Sequence, residues 1–188
     1  MRYQTLTPLG PRRGSQSGLS GIVACWYRQA VTAVPVTPED RLAALGLQLP
    51  AAPPPLAHFD MCVRTGSLLY LSGHAPLRDG QFAYVGKVGR EWDEAAGYQA
   101  ARLTALNMLA TLKAELGVLS RVRRILKLFG MVNCTEDFIR IPDVINGASD
   151  LLIEVFGDAG RHARSAVGMQ QLHYGMAVEV EAIVEVDG

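Results

Sequence analysis

"AVEVEAIVEV", residues 177–186, alternates without a break. Val178, Val180, Ala182, Val184 and Val186 fall on one side of an extended chain, and Ala177, Glu179, Glu181, Ile183 and Glu185 on the other, because successive side chains of a strand point to opposite faces. A valine face needs an apolar layer against it. The glutamate face must then point away from that layer.

The layer is legible upstream. Over 91–116, Tyr98, Ala101, Ala105, Met108, Leu112 and Leu116 recur at intervals of three and four, and Gly117 follows as a helix terminator. A second helix is expected over about 138–156, with Val144, Ala148, Leu151, Leu152 and Val155 inward and Gly157 closing it. Strands fill the rest. "FDMCVRTGSLLYLSG" (59–73) reads as two strands turned at Thr65-Gly66, and "RDGQFAYVGKVG" (78–89) as a hairpin-like element around Asp79-Gly80. "RVRRILKLFGMVNC" (121–134) and the stretch 160–172 complete the set. This order implies an α+β sheet with its two helices on one face. Leu68–Leu71 and Leu126–Met131 are apolar on both sides, so the face the helices leave bare is expected to meet another copy of the chain.

Composition narrows the function. The chain has 188 residues, 49% hydrophobic and 19% charged, which suits a folded globular domain. Eighteen basic residues balance eighteen acidic ones, so there is no global field for nucleic acid. No apolar run has the length of a membrane span. The three cysteines, Cys25, Cys62 and Cys134, are scattered, and the four histidines lack ligand spacing. Neither a disulfide framework nor a metal site is expected, and a reducing, cytoplasmic setting fits.

Residues 1–38 stand apart, with four arginines, no lysine and no acid before Glu39. They read as a disordered extension or an overlong start, with an organelle-targeting peptide as the alternative. "TPEDRLAALGLQL" (37–49) is a short capped helix, and "PAAPPP" (50–55) leads into a main domain expected at 56–188. Gly86 and Gly89 in "VGKVGR" lack the spacing of a phosphate loop and read as a hairpin turn, and "RVRR" (121–124) as a solvated strand entrance.

One residue breaks the pattern. In "GRHARSAVGMQQL" (160–172), Arg164 sits amid an alternating strand, where a guanidinium is costly unless an anion meets it. Its strand precedes the glutamate-bearing one, so Arg164 is expected to share the face of Glu179 and Glu181. Two readings stay open from spacing: a structural ion pair at an interface, or a fork that grips a substrate carboxylate, with a glutamate to hold or activate water. His162 beside it is either a loop-end residue or a contributor to the same electrostatics.

"LLYLSGHAP", "GYQAARLTALNMLATLKAELG", "NGASDLLIEVFG", "HARSAVG" and "AVEVEAI", in this order, resemble the RidA (YjgF-type) family, also known as endoribonuclease L-PSP or chorismate-mutase-like, over about 56–188. The resemblance implies a chorismate-mutase-like fold and a homotrimer with pockets between subunits. In the best-understood branch those pockets hydrolyse enamines and imines such as 2-aminoacrylate to 2-keto acids and ammonia, without cofactor or metal. It implies Arg164 as the carboxylate grip, Glu179 as the water-activating acid, Ser72 and Gly73 as pocket backbone, and Asn146 as a further ligand contact. Phe59 stands thirteen residues before Ser72, where that branch has a tyrosine; Ala166 replaces a common cysteine, and His74 a common glutamine. Arg64 and "VRTG" belong to a relative branch. Three functions are therefore carried forward: an imine/enamine hydrolase, a non-catalytic trimeric binder of small carboxylates, and, as the family's catalogue name invites, a ribonuclease.

Overall fold

In the computed structural model, which describes residues 36–188, the alternating stretch is the central strand β7 (Val178–Val186) of a five-stranded sheet. Strands β2 (Leu68–His74) and β5 (Val122–Asn133) flank it, both antiparallel. β1 (Cys62–Thr65) lies outside β2, and β6 (Ala163–Met169) outside β5. β6 runs parallel to β5. A parallel pair needs a crossover connection, and helix α3 (Ile141–Phe156) provides it. Most of the 1–38 extension lies outside the described residues.

Helix α2 (Glu94–Leu116) starts at Asp93, whose side chain accepts from the Ala96 amide, and ends at Gly117, with φ +80°. α2 and α3 pack together where Gly147 leaves no side chain: a Cβ there would stand 2.9 Å from the Tyr98 carbonyl carbon. α2 packs on β7 and α3 on β5 and β6, and Val178, Val180, Val184 and the five inward residues of α3 are almost wholly buried. The α2 stripe is broader than periodicity suggests, for Thr104, Asn107 and Thr111 are buried as well. Asn107 Nδ2 donates to the Leu77 carbonyl at 2.9 Å, so the short hairpin that begins at Leu77 covers what would be the solvent side of an ordinary surface helix.

Two boundaries differ from expectation. The lead-in helix α1 (Pro38–Ala44) is part of the core: Leu42 is buried, and Glu39 accepts at 2.8 Å from both Lys113 Nζ and the Leu119 amide. The hairpin is also shorter, limited to β3 (Leu77–Arg78) and β4 (Gln81–Phe82) around Asp79 and Gly80, both at positive φ as a tight two-residue turn demands. Beyond it "VGKVG" is an irregular segment, with Val88 bridging to Cys134 and Trp92. Local signals marked the turn, but only tertiary contacts decided where pairing stops. No described helix is long and apolar enough to cross a membrane.

The opposite face of the sheet carries Val63 and Tyr70, 53% and 43% exposed, beside Lys127, Phe129, Glu181 and Ile183. These apolar side chains are left in water on the sheet face that the helices do not cover.

Candidate functional site

Arg164 does not share the face of the glutamates. In the parallel β5–β6 register it pairs with Leu128, which pairs in turn with Ala182 of the buried valine row. Its neighbour Ser165, aligned with Phe129 and Glu181, occupies the glutamate face instead. Alternation sets parity within a strand. Parity between strands follows from register, and the α3 crossover sets that.

On the helix side the guanidinium meets α3. Arg164 Nη1 donates to Asn146 Oδ1 at 2.9 Å and to Ser149 Oγ at 3.0 Å, and Nη2 donates to the Pro142 carbonyl at 3.3 Å. Among the described residues no carboxylate lies within ion-pair distance. Ser149 passes the contact on: its hydroxyl faces His162 Nε2 at 3.0 Å, while His162 Nδ1 donates to the Gly160 carbonyl at 2.6 Å. Burial lowers the His162 pKa, the bond to the Gly160 carbonyl raises it, and the nearby Arg164 charge lowers it again, with a net downward shift. The cation is half-buried on an edge strand and held by neutral acceptors only.

Glu179 belongs to the other face. β2 bulges between Leu71 and His74, which brings Gly73 against it. A methyl group built on Gly73 would overlap Glu179 Oε1 and stand 2.8 Å from Cδ. Ser72 braces the bulge, its hydroxyl donating to the Asp60 carbonyl at 2.7 Å. From below, His74 Nδ1 donates to the Ser72 carbonyl at 2.7 Å, and Thr111 Oγ1 lies 2.8 Å from Nε2. Burial raises the Glu179 pKa; His173, with Nδ1 3.5 Å from Oε2, pulls it down, and the like charge of Glu181 pushes it up again.

Glu179 opens into a cavity of about 400 Å³ that also contains Phe59, Gly73, His173 and Tyr174. Glu181 and Ser72 line a separate concavity of about 340 Å³ with Tyr70 and Lys127. The expected site residues thus form two groups. Arg164 and Asn146 meet on the helix side; Glu179, Gly73 and Phe59 meet on the open side. Glu179 aligns with Met131 and Val167, so Arg164 is about 10 Å along and about 10 Å across the sheet from it, on the opposite face. One chain does not bring these two groups together.

Several cavity residues have no sequence signal. His173 and Tyr174 lie in a short 3-10 turn before β7, Pro53 and Pro54 in the Pro-rich lead-in, and Leu56 and Ala57 in the stretch just after it, where the sequence marks no element. Ser149 looks like any polar residue on a helix. Cys62 is an inert thiol, raised to about 11 by burial and by Glu115. Among the described residues no three His, Cys, Asp or Glu side chains gather as a metal set would.

Residues 39–174 match the family model described as "YjgF/chorismate_mutase-like, putative endoribonuclease". The chain belongs to the YjgF/RidA family. Protein TCP17 of Trypanosoma cruzi is 43% identical to this family member over 147 residues, 78% of this chain and 92% of TCP17. Among solved structures, Atu1372 of Agrobacterium tumefaciens, a protein of unknown function, is 46% identical with a TM-score of 0.76, covering 80% of this chain and 92% of its own. A "putative endoribonuclease" of Shewanella oneidensis MR-1 is 38% identical with a TM-score of 0.78, covering 80% and 99%. RidA of an Antarctic Psychrobacter, at 23% identity and a TM-score of 0.51, covering 72% and 94%, shares the fold. Phe59 lines the cavity beside Glu179 and offers it no hydroxyl.

Proposed function

We propose that this YjgF/RidA protein hydrolyses reactive enamine and imine forms of 2-amino acids to 2-keto acids and ammonia, at a site composed between copies of the chain. The observation that carries this reading is Arg164: a half-buried guanidinium on a sheet edge, met among the described residues only by neutral oxygens. Such a fork is ready for an external carboxylate. Asn146 and Ser149 hold it in place.

The second half supports the same reading. Glu179 sits partly buried in a cavity on the face the helices leave open, with a raised pKa and space kept for it by Gly73. When a neighbouring copy sets its Arg164 edge against that cavity, the substrate carboxylate meets Arg164 and the C=N carbon lies near Glu179. Each copy then gives one half and receives the other. A head-to-tail contact of this kind closes into a ring, which agrees with the trimer the resemblance implies.

The chemistry needs only proton movement. An enamine first takes a proton on its β-carbon and gives one up from nitrogen, which makes the imine. Glu179 accepts a proton from water as the oxygen adds to the C=N carbon, and returns it to nitrogen. Glu179 then passes the proton of the new hydroxyl to nitrogen as the C–N bond breaks, leaving the keto group and ammonia. Glu179 ends as it began, and no electrons are exchanged.

Imines generated in situ by an amino-acid oxidase test this. Ammonia release above the spontaneous rate is expected, lost in Arg164→Ala and in Glu179→Gln. Wild type indistinguishable from background would overturn it in favour of the second reading, a non-catalytic carboxylate binder. Phe59 favours that reading, because it removes one polar ligand contact. Zero net charge and no basic-aromatic stripe speak against ribonuclease action, whatever the relatives' names suggest.

A further inference from the structure

The cavity beside Glu179 is larger and more apolar than a three-carbon substrate requires. Its volume of about 400 Å³ falls in the range of sites for far bulkier ligands. Among the described residues that line it, Glu179, His173 and the phenol of Tyr174 are the titratable groups. Most of the remaining lining is apolar: Pro53 and Pro54 of the lead-in, then Leu56, Ala57 and Phe59, with Leu77 of β3. Leu56 and Phe59 are 54% and 43% exposed, so a ligand would cover apolar surface that now faces water.

Tyr174 adds an independent observation. It holds φ at +53°, a left-handed conformation costly for a bulky side chain, and its ring stacks on Phe82 with centroids 5.2 Å apart. The ring is 66% exposed and lines the cavity. A strained, anchored, exposed aromatic beside a reactive carboxylate is placed to clamp an apolar group, and its backbone strain persists without one.

We propose that the site selects substrates with a bulky apolar side chain, from the size of leucine's to that of phenylalanine's, with Leu56, Phe59 and Tyr174 as the specificity-determining contacts. The proposal rests on the carboxylate-gripping role given to Arg164 above, and it names the group carried on the other end of the same ligand. The segment running from the Pro-rich lead-in to Phe59 becomes the wall that reads that group.

Calorimetric binding of three 2-oxo acids to the full chain tests it: pyruvate, 4-methyl-2-oxopentanoate and phenylpyruvate. They share one carboxylate and differ in side chain. The two bulky acids are expected to bind at least about tenfold more tightly than pyruvate, since each buried methylene contributes several-fold. Leu56→Ser narrows that gap, Arg164→Ala removes binding of all three, and Val118→Ser, at an exposed apolar position outside the cavity, changes neither. Equal affinity for all three acids, abolished by Arg164→Ala, would overturn this proposal and leave the hydrolase reading standing. Tight binding of the bulky acids that survives Arg164→Ala would overturn it as well, as apolar adsorption unrelated to the site. Binding of none would sink the carboxylate site and this proposal with it.

Discussion

Gly73 and Glu179 occupy one volume: the space a side chain at 73 would need is filled by the carboxylate of 179. The backbone of Gly73 is not in the left-handed region, so the glycine serves the neighbouring side chain rather than its own torsion. Gly73→Ala is therefore expected to fold, with Glu179 rotated away. An ångström of misplacement at a reacting group costs about a hundredfold in rate. We expect a loss of about that size in kcat for imine hydrolysis, with Tm nearly unchanged. Full activity in Gly73→Ala would show that the position of the carboxylate does not matter.

Arg164 and Glu179, on opposite faces of one sheet, allow a complementation test. Arg164→Ala and Glu179→Gln are each expected to be inactive, Arg164→Ala by loss of charge-assisted bonds of about 1.5–3 kcal/mol, or about 10- to 100-fold in affinity. Unfolded together and refolded as mixed rings, equal amounts place an intact Arg164 beside an intact Glu179 at about a quarter of the interfaces. Recovery of about that fraction of wild-type activity, measured by ammonia release, is expected. No recovery, in rings shown to be mixed, would mean that each site is built within one chain.

Acidity follows from the groups around Glu179. Burial raises its pKa, His173 lowers it and Glu181 raises it. As a base it must be ionised, so activity should fall as pH drops through a value above the ordinary carboxylate range. His173→Asn removes the stabilising charge and moves that acid limb to higher pH; Glu181→Gln removes a repelling one and moves it lower. A pH profile of kcat for the three proteins checks the signs, and a limb that stays put in both variants would exclude Glu179 as the titrating base.

His74, 1% exposed under the bulge, has its pKa lowered to about 4 by burial. The unfolded chain takes up a proton near pH 6.5 and the folded chain does not, so this contribution to stability is complete above pH 6.5 and lost as pH falls toward 4. The gap amounts to about 3 kcal/mol. His74→Gln, which can donate to the Ser72 carbonyl and accept from Thr111 without titrating, should flatten the fall of stability between those pH values in urea unfolding. An unchanged slope would place the titration elsewhere.

Much of the fold was open to reading along the chain. The α2 and α3 stripes are set by residues three and four apart, and the Asp79-Gly80 turn by two adjacent torsions. These are short-range constraints, written where they act. The segment Pro53–Phe59 was harder, because it has no periodicity and its role comes from the cavity it lines with distant residues. His173 is similar: nothing in its loop marks it until β7 sets Glu179 3.5 Å away.

The sequence by itself determined that β7 has a valine face and a glutamate face, that helices cover the first, and, through its motifs, the family. Only the tertiary structure decided where Arg164 points. Alternation is a property of one strand, whereas the face a residue shares with another strand depends on register, and a parallel pair takes its register from the crossover that joins it. That long-range choice put Arg164 with α3 and left Glu179 on the open side of the sheet.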